Sequence, residues 1–345
     1  MNTPHTPLTV ALTGATGFVG AHTLRALLRH GARVRVLARD PARLEETLAP
    51  LPRQWRARVA IVPGALASSP HDAENHKAER RLLDGADAVV HVAGLVKAPD
   101  EATFMRINAD AAEHLARLTA TAGTRRFVHV SSLAARAPHL SAYARSKRAG
   151  EEAVLHVLGP RAVAVRPPAV YGPGDEATFG LIDQLSRRHA FIPGHAAMRV
   201  SLVHVRDLAD ALARLALDKA AGAGEVLDID DGRPNGYSWA DIAREASRAL
   251  RRPVSLHLLP RPLVRAAATA ADALSRLTGR PFMLSREKVN ELYHDDWVAA
   301  APKVSDRLDW TARLQFAEGF IDTLDYWCRR GRLPERRLPR VRAPE

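Results

Sequence analysis

Cysteine occurs once in the 345 residues, at Cys328, so no internal disulfide can form. A disulfide-stapled fold is thereby excluded, and the cytoplasm is the expected location. Aromatic residues are sparse, at 5%. There is no run of about 18 apolar residues, which argues against an integral membrane segment. Met1 to Val10 has no charged region followed by an apolar stretch of signal-peptide length, so secretion is not expected either. Zinc-finger spacing and RNA-binding aromatic motifs are also missing, and no nucleic-acid partner is expected. His91 and His129 have no spaced partner of metal-ligand type; they are read as buried structural residues, and no metal is expected.

Hydrophobic residues make up 46% and charged residues 26%, the composition of a soluble globular chain. The length allows one large α/β domain or two closely joined ones. The formal charge of +12 is carried mostly by arginines spread along the chain. An exception is the cluster Arg329, Arg330, Arg332, Arg336, Arg337, Arg340 and Arg342, read as a solvated basic end, with an anionic surface as the competing partner.

The first half alternates short β-branched runs with helical patterns, the form of βαβ units on a parallel sheet. Strands are expected at Thr9 to Thr13, Arg33 to Leu37, Val59 to Val62, Ala88 to Val92, Phe127 to Val130 and Ala162 to Val165, with a first helix over Ala21 to Arg29. Asp40 and Pro41 form a helix-start signal. Val203 to Leu217 reads as strand then helix, and Glu225 to Ile229 as a strand. Leu263, Val264, Ala267, Ala270, Leu274 and Leu277 share one helical face, expected to pack on a core or a partner; Arg265, Arg276 and Arg280 beside it would also suit a membrane surface.

Gly14, Gly17 and Gly20 follow the first strand at three-residue intervals, in Thr13-Gly14-Ala15-Thr16-Gly17-Phe18-Val19-Gly20. Glycine permits positive φ and close backbone approach, and a helix starting here would aim free N–H groups at a pyrophosphate. A plain tight turn is the bland alternative, but the strand-to-helix context is the one that dinucleotide binding requires.

The GxxGxxG spacing resembles the extended branch of the short-chain dehydrogenase/reductase family. Further resemblance lies in His91-Val92-Ala93-Gly94, Ser131-Ser132, Tyr143-Ala144-Arg145-Ser146-Lys147 and Arg166-Pro167-Pro168-Ala169-Val170-Tyr171-Gly172-Pro173-Gly174. It covers roughly Leu8 to Arg332 and includes epimerase/dehydratase and 3-beta-hydroxysteroid dehydrogenase-like members. It implies a Rossmann-like α/β fold, a doubly wound parallel sheet with a smaller, mainly helical C-terminal substrate domain. The expected division is a dinucleotide-binding domain over 1–170, with 201–230 returning to it, a substrate region over 171–200 and 231–332, and the basic tail 333–345. Cofactor contacts are implied for Gly14, Thr16, Gly17, Phe18, Val19, Gly20, Ala65, Leu66, Val92, Ala93, Gly94, Tyr143, Lys147, Pro168 and Val170. The family often has an adenine-contacting Asp after the third strand; Gly64-Ala65-Leu66 stands there instead.

An acidic side chain after the second strand would bind the ribose hydroxyls of NAD, a basic one the extra phosphate of NADP. Arg39, with Arg43 nearby, favours NADP(H). NAD(H) stays open through Asp40, although helix capping already accounts for that residue.

Hydride transfer to a carbonyl leaves an alkoxide that needs a proton. A free Tyr titrates near pH 10, and a neighbouring cation lowers that value. Lys147 stands four residues after Tyr143, on the same face if the segment is helical. The resemblance makes Tyr143 the acid/base and Lys147 its stabiliser and ribose ligand. Ser132 rather than Ser131 would bond the substrate oxygen, and Asn108 would hold structure, water or substrate.

Three functions remain. One is NADP(H)-linked interconversion of a ketone and a secondary alcohol, as in hydroxysteroid dehydrogenase-like and dihydroflavonol reductase-like members. Another is a nucleotide-sugar epimerase or dehydratase retaining NAD. The last is a cofactor-binding scaffold without turnover. Sugar-nucleotide members often place an Arg seven residues before the position of Asp207; Val200 is found there. The apolar helix, followed by Ser285 to Val289, suggests a largely apolar small-molecule substrate. A homodimer through the helices carrying Asn108 and Tyr143 is expected by family analogy only.

Overall fold

In the computed structural model the described residues are 7–67, 72–278, 282 and 284–339. Arg280, Arg340 and Arg342 of the sequence reading, and the first six residues, lie outside them. The chain forms two compact units. One comprises residues up to Arg166 with Leu208–Asp228 and Ala301–Trp310; the other comprises Pro167–Asp207, Ile229–Ala300 and Thr311 onward.

The first unit is built on β1 (Thr9–Thr13), β2 (Arg33–Ala38), β3 (Val59–Pro63), β4 (Ala88–His91), β5 (Arg126–Val130) and β6 (Ala162–Arg166). With the strand Val226–Asp228 they make a seven-stranded sheet in the order Val226–Asp228, β6, β5, β4, β1, β2, β3. Every pairing is parallel. Parallel strands are covered on both faces, which is why β4 and β5 are buried throughout their length. The helices are α1 (Phe18–Arg29), α2 (Pro41–Leu48), the single turn α3 (Arg53–Arg56), α4 (Ala73–Leu83), α5 (Glu101–Met105), α6 (Ala111–Thr121) and α7 (Ala142–Leu158). A core of Ala78, Leu82, Ala112, Leu115, Phe127 and Val154, among others, joins α4, α6 and α7 to the sheet. The strand order reverses at β1, whose neighbours are β2 and β4. The C-terminal ends of strands at such a switch point are where ligands of open α/β sheets bind. The Rossmann-like doubly wound sheet is thus present.

One strong burial is unusual. Arg126 is fully buried at the start of β5, where its Nε donates to Leu215 O at 2.8 Å and its Nη2 to Ala221 O. Burial draws its guanidinium down to about 10; the two carbonyls meet Nε and Nη2, while Nη1 is buried without a hydrogen-bond partner among the described residues.

The second unit has its own core around Tyr171, Leu185, Ile242, Phe316, Phe320 and Trp327. Its helices Phe179–Leu185, Trp239–Leu250, Arg261–Thr278, Arg286–Leu292 and Phe316–Arg329 are accompanied by three small sheets. Trp239–Leu250 opens on a capping box, with Ser238 Oγ accepting from Asp241 N and Asp241 Oδ2 accepting from Ser238 N.

Two expectations change. Among the described side chains of Arg261–Thr278 only Val264 and Ala268 are buried, against Val289, while Leu263, Leu274 and Leu277 of the same expected face are exposed. The basic end is not merely solvated: Leu333 is buried, Arg337 donates to Ser186 O at 3.1 Å, and Arg332 pairs with Glu176 and lies over Trp327. Arginine stems cover apolar surface while their heads find carbonyls and carboxylates.

Candidate active site

The glycine turn takes the form that its sequence requires. Gly14 has φ +77°, and a Cβ there would stand 2.7 Å from Ala93 N; a Cβ on Gly20 would stand 2.0 Å from Gly14 O. Helix α1 therefore starts at Phe18, earlier than Ala21, because Gly20 lets its first turn close onto the loop. Its N-cap Gly17 offers no side chain and no acidic residue occupies the first turn, so the leading N–H groups face outward without a competing anion. Thr16, Phe18 and Val19 are half-buried around this turn. A cradle that a single Cβ would fill, beneath a helix N-terminus, fits a dinucleotide pyrophosphate.

Thr13 Oγ1 lies 2.8 Å from His91 Nδ1 and accepts from Ala93 N at 3.3 Å, fixing the loop that carries Val92, Ala93 and Gly94 beside the turn. At the end of β2, Arg39 is exposed. Asp40 is engaged as the N-cap of α2, its Oδ1 accepting from Arg43 N at 3.1 Å. After β3, Ala65 N donates to Asn75 Oδ1 at 2.7 Å, and Ala65 and Leu66 are half-buried.

Tyr143 and Lys147 lie on α7, capped by Ser141 Oγ, which accepts from Ala144 N. Tyr143 is half-buried with Phe104 6.0 Å away between ring centroids. Lys147 is buried, and its Nζ donates to Val130 O at 2.7 Å. Burial draws the ammonium down to about 8, against the pull of the Glu151 carboxylate. Glu151 is itself held by Arg166 in a bidentate pair at 2.8 and 2.5 Å.

Asn108 is buried within a π-helical turn, Arg106–Asp110, between α5 and α6. Its Oδ1 accepts from Leu95 N at 2.7 Å, and its Nδ2 donates to Leu95 O and to Ser146 Oγ, each at 3.0 Å. Ser146 Oγ in turn donates to Tyr143 O at 2.8 Å. A widened turn of this kind often marks a functional site. Here it lets one amide bind the loop after β4 and the helix of Tyr143 together.

Ser132 caps the short 3-10 helix Leu133–Arg136, its Oγ accepting from Ala134 N at 3.2 Å, and is half-buried. The neighbouring Ser131 Oγ is buried without a hydrogen-bond partner. Pro168 and Val170 belong to the second unit, with Val170 in the strand Ala169–Tyr171.

His91 and His129 occupy facing positions on β4 and β5 and stack at 5.5 Å. Burial, reinforced by the positive charge of Lys147, lowers His91 to about 3 and His129 well below the usual imidazole value. Both are neutral near pH 7, so neither adds a second cation near Lys147. Thr13, Ser146 and Glu151 were not singled out as supporting groups. Only the i+3 step from Tyr143 to Ser146 leaves a trace in the sequence; the other contacts are set by strand register and helix packing.

In the second unit Val200 lies in the strand Arg199–Val200, and the exposed Arg199 donates from Nε to Asn235 O at 2.7 Å. Asp207 Oδ2 accepts from Leu314 N at 2.9 Å.

Comparisons with known proteins bear on the family and the fold. The sequence pattern described as the NAD dependent epimerase/dehydratase family matches residues 10–229. The ceramide reductase of Caulobacter vibrioides is 39% identical over 328 residues, covering 94% of this chain and 96% of that protein. The 4-hydroxy-2-methyl-3-oxo-4-farnesyl-3,4-dihydroquinoline-1-oxide ketoreductase of Stigmatella aurantiaca is 28% identical over 65% of this chain and 68% of its own. Among solved structures, the Bordetella bronchiseptica enzyme WbmG in complex with NAD shares the fold, with a TM-score of 0.67, 18% identity, and coverage of 99% of this chain and 100% of that one. No helix among the described residues is long and apolar enough to cross a membrane. These relatives support a reductase or epimerase role. The chain belongs to the NAD-dependent epimerase/dehydratase family and is an NAD(P)-dependent enzyme of the extended short-chain dehydrogenase/reductase type.

Proposed function

We propose that the chain is an NADPH-dependent reductase that converts a ketone to a secondary alcohol on a long-chain, largely apolar lipid of the ceramide class. The observation that carries the lipid reading is the near end-to-end likeness to the ceramide reductase. The ketoreductase likeness supports carbonyl reduction. The first unit would bind the nucleotide and the second the substrate.

NADPH supplies the hydride. Tyr143 donates its phenolic proton to the oxygen that becomes the alcohol, and Ser132 Oγ donates a hydrogen bond to the same oxygen. Lys147, held at Val130 O, favours the phenolate left on Tyr143 and binds the nicotinamide ribose. Asn108 positions rather than reacts, since both ends of its amide are committed to Leu95 and Ser146. Gly14, Gly17 and Gly20 admit the pyrophosphate. The preference for NADPH rests on Arg39, exposed after β2, while Asp40 is occupied in capping α2.

Sugar-nucleotide epimerisation is the second reading, favoured by the family pattern itself. Val200 in place of the phosphate-binding Arg, and the tie of Arg199 to Asn235, weigh against it.

The test is NADPH oxidation with a ceramide-class ketone in mixed micelles, beside NADH and a UDP-hexose panel. Turnover is expected with NADPH and the lipid ketone. Tyr143→Phe should lower kcat by about 10²–10⁴-fold, the usual worth of a positioned proton donor, with NADPH affinity nearly unchanged. Hexose-nucleotide epimerisation with tightly retained NAD, or undiminished reduction by Tyr143→Phe, would overturn the proposal.

A further inference from the structure

On α4, His76 and Glu79 stand one turn apart and share a face, and α6 brings His114 against them. His76 Nδ1 is 2.7 Å from His114 Nε2, His114 Nε2 is 3.2 Å from Glu79 Oε2, and His76 Nδ1 is 3.7 Å from that oxygen. Three potential ligand atoms thus converge from two helices. Nothing in the reduction chemistry uses them.

Glu79 is fully buried, and its carboxylate is fixed at one end because Oε1 accepts from Ala67 N at 3.1 Å. The other oxygen, Oε2, points at the two imidazoles and makes no hydrogen bond. A buried carboxylate oxygen left unmet is costly. A proton network explains the cluster poorly. The proton between the two imidazole nitrogens serves that contact, and Oε2 is left over.

A single cation at the centre would meet all three lone pairs at once. Bonds of about 2.0–2.1 Å at tetrahedral angles place neighbouring ligand atoms roughly 3.3 Å apart. The three distances of 2.7, 3.2 and 3.7 Å lie around that value. Two imidazoles with one carboxylate suit zinc, whereas magnesium and calcium prefer an all-oxygen shell. We propose that His76 Nδ1, His114 Nε2 and Glu79 Oε2 form a zinc(II) site, with water completing a four-coordinate shell. This proposal departs from the sequence expectation that no metal is bound.

The site would be structural. It would clip α4 to α6 and, through the bond from Ala67 N to Glu79, steady the Gly64–Ala67 segment that carries Ala65 and Leu66. Its ligands lie in the first unit and are separate from Tyr143 and Lys147.

The experiment uses the full-length protein, freed of metal by a chelator and dialysed against zinc chloride, with metal content and thermal unfolding as readouts. Cobalt(II) chloride serves as a coloured substitute. One zinc per chain, a rise of several degrees in Tm on adding zinc, and intense visible cobalt bands of a tetrahedral centre are expected. His114→Ala and the near-isosteric Glu79→Gln should each weaken zinc binding by at least the roughly 10–100-fold that losing an outer-shell partner costs, while the chain stays folded by far-UV circular dichroism. Failure of the wild-type protein to take up stoichiometric zinc, or octahedral cobalt spectra, would overturn the site without any variant having to fold. Unchanged zinc affinity in folded His114→Ala and Glu79→Gln would place the metal on others of the 15 histidines and overturn it equally.

Discussion

Lys147 shows how one buried charge couples stability and rate. Its Nζ donates to Val130 O at 2.7 Å, and two neutral imidazoles occupy the strands close by. Between about 8 in the folded chain and 10.5 in the unfolded one, the unfolded state holds the extra proton. This group therefore makes stability rise with pH across that window. Its effect on rate is opposite, because the cation that favours the Tyr143 phenolate is lost as pH rises through about 8. For reduction by NADPH, kcat/KM should fall above pH 8, since that ratio reports groups of the free enzyme. A profile flat to pH 9.5 would show that Lys147 does not titrate there or that its charge is not needed. Tyr143 and Lys147 were legible because helical geometry makes a four-residue spacing meaningful. The choice of Ser132 over Ser131 rests on the resemblance alone: Ser132 Oγ only accepts, from Ala134 N, and keeps its own proton to donate, while Ser131 Oγ is buried away from any hydrogen-bond partner among the described residues.

Gly150 illustrates how elements, rather than single side chains, hold the site. A Cβ on Gly150 would stand 2.1 Å from Asn108 O, closer than atoms approach, so α7 touches the π-helical turn through bare backbone. Gly150→Ala should push the two apart at a cost of about 1–3 kcal/mol, as overpacking does, lowering Tm and loosening the bond from Asn108 to Ser146. Gly180, with open space around its Cβ position, is the control: Gly180→Ala should leave Tm unchanged or slightly higher. Equal Tm values for the two variants would mean that the close approach is not under constraint. The large sheet was legible for a related reason. Short apolar runs with β-branched residues, such as Thr9–Thr13 and Ala162–Arg166, recur between helical patterns, and the glycine turn is local. The strands Arg199–Val200, Tyr237–Ser238 and Asp296–Trp297 are too short to show a period, and their pairing depends on distant segments. The meeting of His76, Glu79 and His114 leaves no local pattern either, because His114 reaches Glu79 only after α4 and α6 pack on the sheet.

Taken whole, the +12 balance is the excess of 50 Lys and Arg over 38 Asp and Glu, and several arginines have local acidic partners. Arg206 meets Asp322, Arg187 meets Asp183, and Arg307 meets Glu225. Such exposed pairs contribute little to stability each, so the basic balance says more about solubility than about fold. The absence of other cysteines gives Cys328 a practical value. It is buried in the core of the second unit, its Sγ turned to Pro334 O at 3.6 Å, and burial pushes its thiol upward. A shielded, solitary thiol is a built-in clock, because a thiol reagent in excess can react only when this unit opens. One equivalent of slow, single-exponential labelling, insensitive to reagent concentration once opening limits the rate, would time that motion without any engineered probe. Instant labelling would reveal a segment from Phe316 to Pro334 that is already open in solution.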